Sequence, residues 1–79
     1  MRIIIADDEP ALLDQLRRAI NACDPKIEIV GLARNGREAL QLAQEHEPDA
    51  AFLDIRMPGL TGLEVAEQLA ANIKIVFVT

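Results

Sequence analysis

The sequence predicts an α/β fold, a doubly wound parallel sheet built in the order β-α-β-α-β-α-β. Three observations carry this. Four short apolar runs, Ile3–Ala6, Ile27–Ala33, Ala50–Leu53 and Ile73–Val78, are separated by stretches whose apolar residues recur every three or four positions. The first run is continuously apolar rather than alternating, the pattern of a strand buried on both faces. Helix starts and stops fall between the runs, and strands that alternate with helices pair in parallel through right-handed crossovers.

Each element has its own local reason. Asp7-Asp8-Glu9-Pro10 ends the first strand; acids before a helix and a Pro in its first turn favour a helix start. Leu12, Leu13, Leu16, Ile20 and Cys23 then mark one stripe of a helix over about residues 9–23, with Cys23 as a small packing residue. Asp24-Pro25 closes it, because a residue before Pro is pushed out of the helical region. The second strand, Ile27–Ala33, opens with alternation and so belongs near an edge. Asn35-Gly36-Arg37-Glu38 has the form of a capping box. Ala39, Leu40, Leu42 and Ala43 supply the stripe of the second helix, and His46 reads as a solvated residue in its last turn. Pro48 forces the exit. Ala50–Leu53 ends on Asp54, and Pro58-Gly59 breaks the chain soon after. Thr61-Gly62-Leu63-Glu64 forms a second capping box before a helix striped by Leu63, Ala66, Leu69 and Ala70. The fourth strand runs from Ile73 to Val78 and ends at Thr79.

Composition narrows the function. The chain has 79 residues, room for one domain over 1–79, and 51% of them are hydrophobic, enough for a core. Only 3% are aromatic, so that core is aliphatic. A net charge of −5 argues against direct nucleic-acid binding, which relies on basic patches, and suits cations or basic partners. A single cysteine excludes an internal disulfide and fits a reducing compartment. No run approaches the roughly 20 apolar residues of a membrane-spanning helix. The first apolar run meets Asp7-Asp8 too soon for a signal-peptide core. These features predict a cytoplasmic location and no membrane partner.

The chemistry gathers at the strand ends. Ligands of doubly wound sheets bind outside the carboxyl ends of the strands, where strand order reverses. Strand one ends at Asp7-Asp8, strand three at Asp54 and strand four at Thr79. If strands one and three are neighbours, three carboxylates converge, and a proton or a cation must compensate them. Mg²⁺ commonly takes one or two carboxylates, waters and a phosphate oxygen. A carboxylate beside it can attack phosphorus and form an aspartyl phosphate. Asp54 stands alone and is the better nucleophile candidate; the Asp7-Asp8 pair suits the metal.

Taken together, Asp7-Asp8-Glu9-Pro10, the stretch Leu53-Asp54-Ile55-Arg56-Met57-Pro58-Gly59-Leu60-Thr61-Gly62-Leu63-Glu64, and Val76-Phe77-Val78-Thr79 resemble the receiver domain of bacterial response regulators. The resemblance covers residues 2–79. It implies a flavodoxin-like sheet of strand order 2-1-3-4. It also implies Asp54 as phosphoacceptor, Asp7, Asp8 and Asp54 as Mg²⁺ ligands with Asp8 more direct than Asp7, and the Arg56 backbone carbonyl as a further ligand. Thr79 would be the switch hydroxyl, and the donor a phosphohistidine on a sensor histidine kinase. Ala6-Asp7-Asp8-Glu9-Pro10 and, in the second strand, Ile29-Val30-Gly31-Leu32-Ala33 look most like receivers that precede a LytTR-type DNA-binding domain.

The family pattern continues with a fourth helix, a fifth strand carrying an active-site lysine, and a fifth helix, which this sequence does not contain. Lys74 stands at the start of strand four, the wrong end to replace that lysine. The sequence therefore reads as the first two-thirds of a receiver, with weak Mg²⁺ binding, poor phosphorylation and a homo-oligomer formed through the exposed edge of strand four. Two other functions compete: an inert α/β fragment that keeps the motif, and a phosphohydrolase with an Asp nucleophile. Against the latter, Arg56 stands two residues after Asp54, where such enzymes commonly carry a second Asp.

Overall fold

Four strands and three helices alternate along residues 1–78, the part of the chain described by the computed structural model. The elements are β1 (Arg2–Ala6), α1 (Pro10–Cys23), β2 (Glu28–Ala33), α2 (Gly36–His46), β3 (Ala50–Asp54), α3 (Gly62–Gln68) and β4 (Lys74–Val78). The strands form one parallel sheet in the order β2-β1-β3-β4, as expected for a flavodoxin-like fold. The strand order reverses between β1 and β3, which places the ends of those two strands side by side.

The sheet is the centre of the core because β1 buries every side chain after Arg2. Ile3, Ile4 and Ile5 are all fully buried, and their alternate directions feed two separate clusters. Ile3 and Ile5 join Leu13 and Ile20 of α1 and Ala50 of β3 on one face. Ile4 and Ala6 join Ala39 and Ala43 of α2, Ala51 and Leu53 of β3, and Val65 of α3 on the other. Full burial of one isoleucine contributes about 1.5–3 kcal/mol, so β1 is the largest single stake in stability.

Three helix details differ from the sequence expectation. In α1, Leu13 and Ile20 face the sheet with Leu16 packed beside them, whereas Leu12 and Cys23 are exposed. In α3 the inward stripe is Gly62, Val65, Ala66 and Leu69, while Leu63 is 54% exposed and Ala70 also faces solvent. The capping box at Thr61 closes in both directions, Glu64 N–H to Thr61 Oγ1 and Thr61 N–H to Glu64 Oε1. The one at Asn35 does not. Asn35 Oδ1 accepts from Glu38 N–H, but the Glu38 carboxylate accepts from Arg34 N–H instead of Asn35 N–H.

The amino end of the sheet is tied by backbone and side chain. Arg2 N–H donates to Asp49 Oδ2 and Asp49 N–H to the Arg2 carbonyl, each at 2.8 Å. Arg2 Nη1 donates to the His46 carbonyl at 2.7 Å, so half-buried His46 closes α2 through its backbone. The two outer strands differ. In β2, Ile29 pairs with Ile3 but Gly31 pairs with Ile4, so Val30 is an extra residue that bulges the edge. β4 pairs with β3 in unbroken register from Lys74 to Val78 and leaves Val76 and Phe77 about 40% exposed. Among the described residues, no helix is long and apolar enough to cross a membrane.

Candidate functional site

The parallel topology delivers three acids to one edge. Ala6 of β1 pairs with Leu53 of β3, so the next residue on each strand is an aspartate, Asp7 and Asp54. Asp7 continues the ladder, donating its N–H to the Ala33 carbonyl of β2 at 3.0 Å. Its Oδ1 then accepts the Glu9 N–H at 2.9 Å, which turns the chain into α1 with Pro10 at the first helical position. Asp54 makes the same kind of turn, its Oδ1 accepting the Arg56 N–H at 3.1 Å. Met57, 5% exposed, anchors the following loop in the core. Gly62 N–H then donates to the Ile55 carbonyl at 2.9 Å and brings α3 against the end of β3.

Asp7, Asp8 and Asp54 each offer a carboxylate oxygen within 4.8 Å of the others. Asp7 is buried, Asp54 half-buried and Asp8 exposed. Burial pushes the Asp7 carboxyl above the usual carboxylate range; the Glu9 amide opposes this, and the negative charges of Asp54 and Asp8 add to it. Among the described residues, no cationic side chain forms an ion pair with any of the three acids. An all-oxygen donor set under electrostatic strain fits a hard divalent cation. The buried carboxylate of Asp7, the oriented one of Asp54 and the exposed one of Asp8 are the groups that could hold it.

The structure also separates residues. Lys74 pairs with Ala50 and Val78 with Asp54, so Lys74 sits at the opposite end of the sheet from the acids. Thr79 lies outside the described residues. Arg56 is exposed in the loop after β3, its amide engaged with Asp54. A cleft of about 600 Å³ opens at the other end of the molecule, lined by Leu40, Ala43, Glu47, Pro48, Leu69 and Ile73. It contains none of the three acids, so concavity and chemistry do not coincide here. Sequence reasoning missed the backbone contacts of Gly36 and Gly62 with the Asp54 loop, because a glycine adds nothing to an apolar or charged pattern.

Comparison with known proteins agrees with this geometry. The family profile of the response regulator receiver domain matches residues 3–79. The chain is 46% identical over 79 residues to an uncharacterized response regulatory protein of Vibrio cholerae, covering 96% of this chain and 30% of that protein. It is 45% identical over 69 residues to the positive alginate biosynthesis regulatory protein of Pseudomonas aeruginosa, covering 87% of this chain and 28% of that protein. The chain thus spans under a third of the length of these relatives. Among solved structures, a LuxR-family DNA-binding response regulator from Staphylococcus aureus superposes with a TM-score of 0.86 at 37% identity, over 99% of this chain and 67% of that one. The signal receiver domain of a putative response regulator from Mycobacterium tuberculosis gives 0.83 at 32% identity, over 96% and 63%. With its sheet order, its acid cluster and these matches in agreement, the chain belongs to the response regulator receiver domain family of two-component systems.

Proposed function

We propose that this chain accepts a phosphoryl group on Asp54 from the phosphohistidine of a sensor histidine kinase, with Mg²⁺ as cofactor. The observation that carries the reading is the convergence of Asp7, Asp8 and Asp54 at the carboxyl ends of adjacent strands. Asp54 Oδ1 is held by the Arg56 amide, and Oδ2 accepts no hydrogen bond among the described residues. Oδ2 is therefore the oxygen that attacks phosphorus. Its bond to phosphorus forms as the P–N bond to the donor imidazole breaks, and the imidazole keeps the electron pair. Asp7, Asp8 and Asp54 would hold the cation, with the Arg56 backbone carbonyl as a further ligand. When bound, the cation neutralises charge on the phosphoryl oxygens. Thr79 serves as the switch hydroxyl.

Residues 1–79 belong to one receiver unit, and the module is a phosphoacceptor rather than an enzyme on outside substrates. Phosphorylation adds roughly −1.5 to −2 charge at the site. That charge controls an output domain carried elsewhere in the full protein. A transcriptional output is supported by relatives named as transcriptional and DNA-binding regulators, and the resemblance carried by Ala6–Pro10 and Ile29–Ala33 favours the LytTR type. The acidic charge supports a cytoplasmic module that binds no nucleic acid itself. The exposed apolar edge of β4 supports assembly with a second copy.

The test is phosphorylation by acetyl phosphate with Mg²⁺, read by intact mass. The expected product is a slowly formed, acid-stable, base-labile adduct that Asp54→Asn abolishes. Turnover of the phosphodonor without an adduct would point to a hydrolase. No reaction at all, in this chain and in one extended to the length of its relatives, would reduce the motif to an inert remnant.

A further inference from the structure

The loop that leads from Asp54 into α3 is gripped by two glycine backbones. At its near end, a Cβ on Gly62 would overlap the Asp54 carbonyl oxygen and lie 3.0 Å from the Asp54 carbonyl carbon and Ile55 Cα. These are backbone atoms and cannot swing aside. At its far end, a Cβ on Gly36 would lie 2.7 Å from Leu60 Cβ and 2.8 Å from the Leu60 carbonyl oxygen. The first turn of α2 and the first turn of α3 therefore rest directly on the same loop. The other two glycines behave differently. A Cβ on Gly31 would meet side-chain atoms of Leu42 first, at 2.9–3.2 Å, and one on Gly59, at φ +79°, would have nothing within 4 Å, so that glycine serves the turn itself.

We propose that Gly36 and Gly62 are positioning residues for Asp54. Their missing side chains let two helix starts clamp the loop, which fixes the 54–55 peptide and with it the hydrogen bond from the Arg56 amide to Asp54 Oδ1. The Gly62 N–H to the Ile55 carbonyl is the near half of this clamp. A methyl group on Gly62 forces α3 outward or turns the 54–55 peptide. Either movement carries the Arg56 amide away from Asp54 and misaims the carboxylate. The clamp also joins the turn after β2 to the acid cluster, where a Cβ on Gly36 would meet the Leu60 carbonyl oxygen, Leu60 Cβ and, at 2.8 Å, Val65 Cγ2 of α3. This inference rests on the reading of Asp54 as the reacting, cation-facing acid.

The chain has no Trp or Tyr, so amide NMR is the readout rather than fluorescence. The parent, Gly62→Ala, Gly36→Ala and Ile20→Ala are titrated with Mg²⁺, and hydrogen exchange is followed at the Arg56 amide. The two glycine variants are expected to raise the Mg²⁺ dissociation constant about tenfold, the scale for losing a group that orients a metal ligand, and to lose protection at Arg56. Ile20→Ala weakens the opposite face and is expected to lower the melting temperature with both readouts unchanged. A folded Gly62→Ala that keeps the parent's affinity and Arg56 protection overturns the proposal. So does an Ile20→Ala that loses both. If neither glycine variant folds, the parent decides: Mg²⁺ saturation should slow exchange of the Gly62 amide more than that of Val65, and equal slowing overturns the clamp. A parent that shows no Mg²⁺ saturation overturns the cation reading instead. Arg56 protection in the metal-free variants then judges the positioning role by itself; if those variants do not fold, protection at Arg56 in the metal-free parent no greater than at loop amides that donate no hydrogen bond overturns it.

Discussion

Asp7 and Asp54 end adjacent strands one step past the paired residues Ala6 and Leu53, and the buried member of the two is held above its ordinary pKa. Burial is the largest cause, partly offset by the Glu9 amide and reinforced by the charges on Asp54 and Asp8. The site thus contains a carboxylate that resists ionisation, which is the condition a bound cation relieves.

A pH dependence follows from that sign. With a folded pKa raised above the ordinary 3.8, Asp7 contributes its full share of stability below that value and loses it as pH rises through the raised pKa. Asp7→Asn should therefore melt higher than the parent near neutral pH without Mg²⁺. Saturating Mg²⁺ should stabilise the parent more than the variant. Thermal scans from acidic to neutral pH, with and without the cation, measure both effects.

Asp8 is exposed, so its removal separates binding from folding. Asp8→Asn is expected to weaken Mg²⁺ binding by about tenfold or more. It should change unfolding free energy by no more than about 0.5 kcal/mol, the usual range for a surface change. Calorimetric titration and urea denaturation provide the two numbers. Equal affinity in parent and variant would remove Asp8 from the ligand set.

The two capping boxes should differ in mutational response. Thr61→Ala removes one of the two reciprocal hydrogen bonds, that from Glu64 N–H to Thr61 Oγ1, and should cost about 1 kcal/mol, a fall of roughly 4–8 °C in melting temperature. Glu64→Gln should retain most of that stability, because an amide oxygen can still accept from Thr61 N–H. At the other box, Glu38→Gln should act on Arg34, so exchange at the Arg34 amide rather than at Asn35 reports the change.

The straight edge of β4 is expected to drive association. Val76 and Phe77 project to opposite faces of the sheet, and both are substantially exposed. Sedimentation at micromolar concentration should show a species heavier than the monomer. Val76→Lys, a charge of the type that blunts natural sheet edges, should shift it toward the monomer. A compact, cooperative monomer in the parent would reject this assembly.

Most of the fold was legible because it depends on the kind of pattern a sequence displays openly. Ile3-Ile4-Ile5 could only be a strand buried on both faces, and the acids at strand ends converged once β1 and β3 were neighbours. The misreadings have a common source. In α3 the inward phase is set by Gly62 against the backbone of Asp54, giving Gly62, Val65, Ala66 and Leu69 at i, i+3, i+4 and i+7. An apolar count cannot see a stripe that begins with glycine, so it started from Leu63, which lies off that face. Leu12 and Cys23 were overcounted because the α1 residues packed on the sheet are Leu13, Leu16 and Ile20, at i, i+3 and i+7, and the other two lie off that row. At Asn35, the sequence showed an acid three residues after the cap but not which amide it would reach.

The Val30 bulge gives the sheet one blunt side and one straight side. A body with two joinable sides can add copies without limit, whereas one with a single joinable side finds a partner and is finished. The extra residue in β2 is therefore expected to set a ceiling on the stoichiometry of an assembly formed through β4. Raising the concentration should saturate at a pair instead of thickening into fibres.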